Sequence, residues 1–308
     1  MNSLPVVSVI IPTHDTLAWL PAAIESIGRR QDVEIIVVDD GSSDGTLTWL
    51  GEYAAQDPRL RFMYGSRGGA SRARNLAIGA ARAPLIAFLD ADDRWLPHKL
   101  DAQLALHQAH PEIGFSFTDY RHVTMRGKDR GSCFSYWPRF FARYSTARSS
   151  FILDRAVSTL YAENVVGTST VVARTDLLRE VGGISTGLTS AEDWDLWLIL
   201  ARRAPIGVLP TVLAESLMHR PGNATGRMDL RVMAMTLIAE RHRAVALRED
   251  PGAESGFNAR MCSARAEIAE ASGHRLRSFM LRMRALAYQP TRRGMCEVVA
   301  SLRQVSAA

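Results

Sequence analysis

Asp90-Ala91-Asp92-Asp93 sets three carboxylates within four residues, directly after the apolar run Leu85-Ile86-Ala87-Phe88-Leu89. In extended geometry Asp90 and Asp92 project to the same side, two residues apart. Carboxylates this close repel one another unless a cation or a hydrogen-bond network compensates. Mg2+ or Mn2+, with hard oxygen ligands, is the natural compensator. Such an ion uses one or two protein carboxylates and completes its shell with phosphates and water. The structural alternative has one aspartate capping a helix near Trp95 and the others solvated.

Four further stretches carry related chemistry. Val37-Val38-Asp39-Asp40-Gly41-Ser42-Ser43-Asp44-Gly45-Thr46 ends an apolar run in carboxylates that can accept hydrogen bonds from a nucleobase imide or a ribose hydroxyl. Ser42, Ser43 and Asp44 are equally good helix N-caps. Gly68-Gly69-Ala70-Ser71-Arg72-Ala73-Arg74-Asn75 leads into a helix whose N-terminal amides favour anions and whose Arg72 or Arg74 can reach a phosphate, unless both are plain surface arginines. Ser190-Ala191-Glu192-Asp193-Trp194-Asp195-Leu196-Trp197-Leu198 opens a helix with acids, which suits the macrodipole but also offers a carboxylate to a hydroxyl proton. In Met218-His219-Arg220-Pro221-Gly222-Asn223, His219 has a metal-ligand side chain and Arg220 can neutralise a diphosphate; a lone histidine is as readily structural.

These side chains need a scaffold, and the hydrophobic pattern supplies one. Residues 6–11 and 33–38 are β-branched, apolar runs, interrupted only by Ser8 and Glu34, of the kind buried on both faces of a parallel sheet. Residues 60–64, 85–89 and 113–118 read as further strands. Leu20, Ile24 and Ile27 recur at helical spacing, and helices are expected through Leu47 and Leu50 and over 70–81. Leu96, Leu100 and Leu104 predict one helical face, with Pro97 near its start. Repeated strand–helix–strand units imply right-handed crossovers and a mostly parallel, helix-covered sheet. Ligands bind beyond the carboxyl ends of such strands, and Thr13-His14-Asp15, Asp39-Asp40 and the Asp90 cluster all fall there. Residues 125–162 are irregular and rich in aromatics, which suit an acceptor wall or the core. Residues 165–173 are strand-like and 175–181 helical, with Gly182-Gly183 placed for a left-handed C-cap. From Arg227 on the pattern is helical, broken near Asp250-Pro251-Gly252 and Gln289-Pro290.

With 308 residues, 47% hydrophobic and 22% charged, the chain has a globular balance, with room for one large domain and an appendage. No window approaches the roughly 18 apolar residues of a membrane span. Met1-Asn2-Ser3-Leu4-Pro5 lacks the basic lead-in of a secretory signal. Cys133, Cys262 and Cys296 are odd in number and scattered, which predicts a reduced, cytoplasmic setting. The formal charge of +5 is uneven: from Arg227 on there are 14 Arg against 8 acidic residues, before it 23 basic against 24 acidic. Such a tail suits an anionic membrane face or a charged polymer; a solvated helical surface is the plain alternative, and no nucleic-acid partner is expected.

Together the segments resemble the family-2 inverting glycosyltransferases of the GT-A fold. Val9-Ile10-Ile11-Pro12-Thr13, the stretch from Val37 to Asp44, Ala73-Arg74-Asn75, the stretch from Phe88 to Asp93, Gly182-Gly183 and the stretch from Ala191 to Leu198 carry the resemblance. Their order and spacing match over about residues 5–226. The resemblance implies a GT-A type nucleotide-diphospho-sugar transferase fold, α/β with a mostly parallel central sheet flanked by helices. The catalytic domain would span 1–226 and an α-helical C-terminal extension 227–308. Pro12, Thr13, His14 and Asp40 would hold the nucleoside, most often uridine in this family, with Asp39 assisting at the ribose. Arg74 lies where the family lines the nucleotide pocket. Asp90-Ala91-Asp92-Asp93 is similar to the family's DxD motif: Asp90 and Ala91 face the nucleotide, Asp92 is the direct ligand of Mn2+ or Mg2+, and Asp93 is a secondary candidate. Asp193 falls at the catalytic base, with Glu192 beside it. His219, as a second metal ligand, and Arg220 fall where the family closes over the diphosphate. His14 stands where Tyr is common and Ser66-Arg67 where an Asn precedes the glycines, so base stacking and loop contacts are open at those points.

The implied reaction is a single displacement with inversion, moving a sugar from a nucleoside-diphosphate donor to a glycan, lipid-linked or other hydroxyl acceptor. Bacterial surface polysaccharide or glycolipid synthesis is the implied setting, in the cytoplasm or peripherally at the inner face of the membrane. A nicotinamide dehydrogenase would want GxGxxG after the first strand, where Pro12-Thr13-His14-Asp15 stands instead. No GxxxxGK[ST] phosphate loop is present. A nucleotidyltransferase leaves the Asp193 segment unexplained, and a non-catalytic nucleotide-sugar or glycan-binding module would not need it.

Overall fold

The computed structural model describes residues 4–218 and 228–306; His219, Arg220 and the expected boundary at 226/227 lie outside them. Among the described residues, ten strands form one sheet: β1 (Val7–Thr13), β2 (Val33–Asp39), β3 (Leu60–Tyr64), β4 (Leu85–Phe88), β5 (Arg94–Trp95), β6 (Phe115–Thr124), β7 (Asp129–Ser132), β8 (Phe151–Ile152), β9 (Val172–Arg174) and β10 (Ile206–Met218). Their order is β3-β2-β1-β4-β9-β6-β10-β5, with β7 on β6 and β8 on β10. β3, β2, β1 and β4 pair in parallel, as do β6 and β10. β9 runs antiparallel to both β4 and β6. The two reversals cancel, so β1, β2, β3, β4, β6 and β10 all point one way and end on a common rim. The mostly parallel sheet is observed, with β9 as an inserted reversed strand.

Alternation between two buried faces explains why Val9–Ile11 of β1 and Ile35–Val38 of β2 are apolar without a break. Ile10, Ile36 and Val38 face one core with Ala73, Ala77, Trp194 and Trp197. Val9, Ile11, Ile35 and Val37 face the other with Leu20, Ile24, Leu50 and Leu100. Helices Leu20–Ser26 and Thr46–Ala54 cover that second face, and Ala70–Ala80 and Glu192–Ala201 cover the first. Phe88 meets Trp197 edge-on at 5.5 Å between centroids, a geometry that adds about 0.5–1.5 kcal/mol beyond burial.

The structure departs from the sequence pattern at four places. The helix expected through Leu96 starts only at Lys99, because Arg94-Trp95 pairs with Ala214 and Glu215 of β10 and His98 turns left-handed at φ 68°. Of residues 165–173, only Val172 and Ala173 are strand; Thr168–Thr170 form a 3-10 turn. β10 was not legible, because Pro210 falls where the register slips between Leu209 and Val212, which breaks the two-residue period. A third break interrupts the C-terminal helices, now Met228–Glu249, Ala253–Ala271, Arg275–Tyr288 and Arg292–Ser306, at Gly273, φ 77°. Of the two readings of the aromatic stretch, Phe134 and Phe140 follow the core one, packing on Phe117, while Tyr136 and Phe141 stay exposed.

Gly182 and Gly183 close helix Thr175–Glu180 as the sequence predicts. Gly182 N–H donates to the Arg179 carbonyl and Gly183 N–H to Leu178, both glycines at positive φ. Asn75 then brackets Ile184, accepting its N–H at 2.8 Å and donating to its carbonyl at 2.7 Å. A Cβ on Gly183 would sit 2.4 Å from Asn75 Oδ1. Gly183→Ala should therefore lower stability by about 1–2 kcal/mol for the left-handed Cβ alone, with the Asn75 bracket loosened in addition; urea unfolding measures it.

Candidate active site

The rim gathers the acidic segments through one buried arginine. Arg74 projects from helix Ala70–Ala80 and donates to Asp90 Oδ1 at 2.6 Å, while a second guanidinium nitrogen lies 3.7 Å from Glu192. Burial works against its charge, but the attraction of Asp90, Glu192 and Asp193 outweighs this and raises it above its ordinary value. Its Nε is buried without a partner among the described residues.

Glu192 and Asp193 open helix Glu192–Ala201 behind Ala191, which turns left-handed at φ 57°. Asp193 Oδ1 accepts the Trp194 N–H at 2.7 Å and Oδ2 accepts the Thr168 hydroxyl at 3.0 Å. Burial, and then Asp193, push the Glu192 carboxyl up, with Arg74 opposing. Thr168 belongs to the 3-10 turn, whose next residue serves the other cluster. Ser169 donates through its hydroxyl to Asp93 at 2.6 Å and accepts from the Asp90 N–H at 3.0 Å. Asp93 also accepts the Leu217 N–H at 3.2 Å, tying the end of β10 to this loop. Burial, followed by Asp90 and Asp92, drives the Asp93 carboxyl up to about 8. Ala91 is buried and Asp92 half-buried beside them. Tyr120 of β6 stands within electrostatic reach of both Asp93 and Asp193; burial first, then Cys133 and these acids, raise its phenol well above the ordinary value. Thr168, Ser169 and Tyr120 carried no sequence signal, since each is a single polar residue in an unremarked stretch.

A second part of the rim lies beyond β1 and β2. His14, Asp15, Asp40, Gly41, Ser43, Arg67 and Gly69 line a cavity of about 520 Å³. Asp15 accepts from the Ser43 N–H at 2.7 Å and Asp44 from the Leu17 N–H at 2.9 Å, so the two loops brace each other. Thr13 is buried against Thr16, Pro12 is half-buried and His14 is exposed. Asp40, expected to face the nucleoside, spends its oxygens on the Gly68 and Gly69 amides at 3.0 and 2.6 Å. Asp39 accepts the Gly41 and Ser42 amides on Oδ2 alone, and its buried Oδ1 has no partner among the described residues.

The carboxylates fit a divalent cation only as a partial set. Among the described residues, no three His, Cys, Asp or Glu groups close around a metal by themselves. Hard oxygens from one or two aspartates, with phosphates completing the shell, are the pattern Mg2+ and Mn2+ accept.

Residues Glu192–Ala201 are held from behind by the C-terminal helices. Asp195, fully buried, accepts from His242 Nε2 at 2.9 Å and pairs with Arg241. Trp194 donates to the Leu160 carbonyl at 2.7 Å, stacks on Phe257 and lies 4.6 Å under the Arg260 guanidinium.

A mostly parallel sheet with acids on the rim after β2 and β4, and at the start of a helix behind β9, is the architecture of GT-A glycosyltransferases. The chain carries a family 2 domain of that class: residues 8–159 match the model of Glycosyl transferase family 2. A glycosyltransferase of Rickettsia conorii is 30% identical over 213 residues, 68% of this chain and 32% of that protein. Chondroitin synthase of Escherichia coli is 23% identical over 233 residues, 75% of this chain and 32% of that protein. The chain thus spans about a third of the length of the rickettsial relatives it matches. Two solved structures share the fold. S. aureus TarS 1-349 in complex with UDP-GlcNAc has a TM-score of 0.64 at 20% identity, over 97% of this chain and 90% of that one. The mannosyltransferase PcManGT from Pyrobaculum calidifontis, in complex with GDP-Man and Mn2+, has a TM-score of 0.66 at 18% identity, over 99% and 81%. No described helix is long and apolar enough to cross a membrane.

Removing the ring of His242 leaves a buried carboxylate oxygen without its donor, which costs about 3 kcal/mol. His242→Ala should destabilise the protein by that amount in a denaturant titration, and Asp195→Ala, which strands both partners, by at least as much.

Proposed function

We propose that the chain is a metal-dependent inverting glycosyltransferase that moves a sugar from a nucleoside diphosphate, UDP by preference, to a hydroxyl acceptor. The observation that carries the proposal is the meeting of the Asp90–Asp93 loop with Glu192-Asp193 through Arg74 and the Thr168-Ser169 turn. Acids drawn from separate segments into one half-buried cleft are costly unless the chemistry uses them.

In this reading Asp193 takes the acceptor's proton as its oxygen attacks the anomeric carbon. The bond to the diphosphate breaks on the opposite face, and the configuration inverts. The hydrogen bonds from Trp194 N–H and the Thr168 hydroxyl hold the carboxylate in one orientation for that transfer. Asp92, with Asp90 beside it, would hold Mn2+ or Mg2+, which supplies charge neutralisation at the departing diphosphate. The Mn2+ and GDP-Man named with the mannosyltransferase, and the UDP-GlcNAc named with TarS, support a divalent ion and a nucleotide-sugar donor. The nucleoside is assigned to the cavity beside His14 and Arg67, which Asp40 lines, with Asp39 assisting at the ribose. His219 and Arg220, outside the described residues, are proposed as a further metal ligand and a diphosphate contact. The catalytic domain is assigned to residues 1–226 and the helical extension to 227–308. The acceptor is a glycan or lipid-linked hydroxyl of a bacterial surface polysaccharide or glycolipid, met in the cytoplasm or at the inner face of the membrane; the similarity to chondroitin synthase supports the polysaccharide setting.

Asp193→Asn should cut the transfer rate by roughly 10²–10⁴-fold while leaving the donor's dissociation constant unchanged. A variant that turns over normally would end this assignment. In thermal shift, UDP with Mn2+ at about a hundredfold its dissociation constant should add about 2.7 kcal/mol of stability, and UDP alone much less. Asp40→Asn should weaken that response and, because Asp40 accepts the Gly68 and Gly69 amides, also lower the starting melting temperature.

A further inference from the structure

The last two helices present a surface that the cleft does not use. On Arg275–Tyr288, Leu276, Met280 and Met283 stand exposed at spacings of four and three, a single stripe of the helix. On Arg292–Ser306, Met295, Val299 and Leu302 repeat that spacing and are also exposed. Arg277 and Arg284 follow Leu276 and Met283 by one position, and Arg303 follows Leu302. Each exposed guanidinium therefore sits about 100° round the helix from its apolar neighbour.

The charge is confined to the same two helices. Residues 227–274 hold 7 Arg and 7 acidic residues, whereas 275–308 hold 7 Arg and one acid, Glu297. Glu297 is taken up by Arg282 and Arg293. The chain's positive excess thus lies on the same two helices as these apolar stripes, with Arg282 alone turned inward to Glu270 and Glu297. A second copy of the chain would bring the same cationic face and repel it, whereas an anionic surface neutralises it.

We propose that helices Arg275–Tyr288 and Arg292–Ser306 dock the protein on an anionic lipid surface, lying in its plane with the apolar stripes at the acyl boundary and the arginines among the headgroups. This rests on the membrane contact in the proposed function and names the surface and lipid charge that make it; it does not depend on the chemistry at Asp193.

Co-sedimentation of the full chain with phosphatidylcholine vesicles, with and without phosphatidylglycerol, tests it. The protein should pellet only with the anionic vesicles and be released by high salt. Met280→Glu combined with Val299→Glu should abolish pelleting, and Arg277→Gln or Arg303→Gln should each weaken it by roughly fivefold. The thermal response to UDP and Mn2+ should be unchanged in all of these variants, so docking and donor binding fail separately. Equal pelleting with neutral vesicles overturns the proposal, as does no pelleting of the wild-type chain. So does a dimer in light scattering that Met280→Glu splits, which would assign the stripes to a second copy.

Discussion

A single buried guanidinium decides whether this rim can exist. Asp90, Glu192 and Asp193 come from segments about a hundred residues apart, and like charges gathered in a partly buried site repel one another. Arg74 offsets that repulsion by standing between them, bonded to Asp90 and close to Glu192. It can do so because helix Ala70–Ala80 packs its Ala73 and Ala77 on the sheet, which leaves position 74 pointing along the rim. The arginine keeps an unused Nε. Asp93 lies deeper in the same cluster, and burial first, then Asp90 and Asp92, push its carboxyl up to about 8. A cation and a diphosphate would complete the balance.

The motif residues divide between chemistry and construction. Asp15, Asp40 and Asp44 spend their carboxylates on backbone amides of neighbouring loops, and Asn75 spends its amide on Ile184. These short polar side chains let irregular backbone pack tightly at the ends of buried strands, where unpaired amides would be costly. Asp90, Asp92 and Asp193, the residues proposed for the chemistry, stand on that construction.

The C-terminal helices are built into the same unit. Their contacts fall on Trp194 and Asp195, directly after the candidate base, through His242, Arg241, Phe257 and Arg260. The acidic helix therefore gets its first turn from the sheet and its backing from the tail. The outer two helices turn their apolar stripes and arginines away from this core, so one extension both steadies the cleft and offers a docking face.

The buried strands β1 to β4, the helices between them and the glycine cap at Gly182-Gly183 were legible in the sequence, because two-faced burial demands apolar runs and a left-handed cap demands glycine. The positions of Asp90 and Asp193 near strand and helix ends were legible for the same local reasons. What the sequence could not decide were features made by distant partners. Arg94-Trp95 became strand because β10 lies beside it, not because of its own pattern. Asp39 and Asp40 are adjacent and chemically identical. Only the folded loop at Gly68-Gly69 consumes both oxygens of one carboxylate and leaves one oxygen of the other without a partner among the described residues, because which hydrogen bonds a side chain makes depends on which backbone folding brings within 3 Å of it.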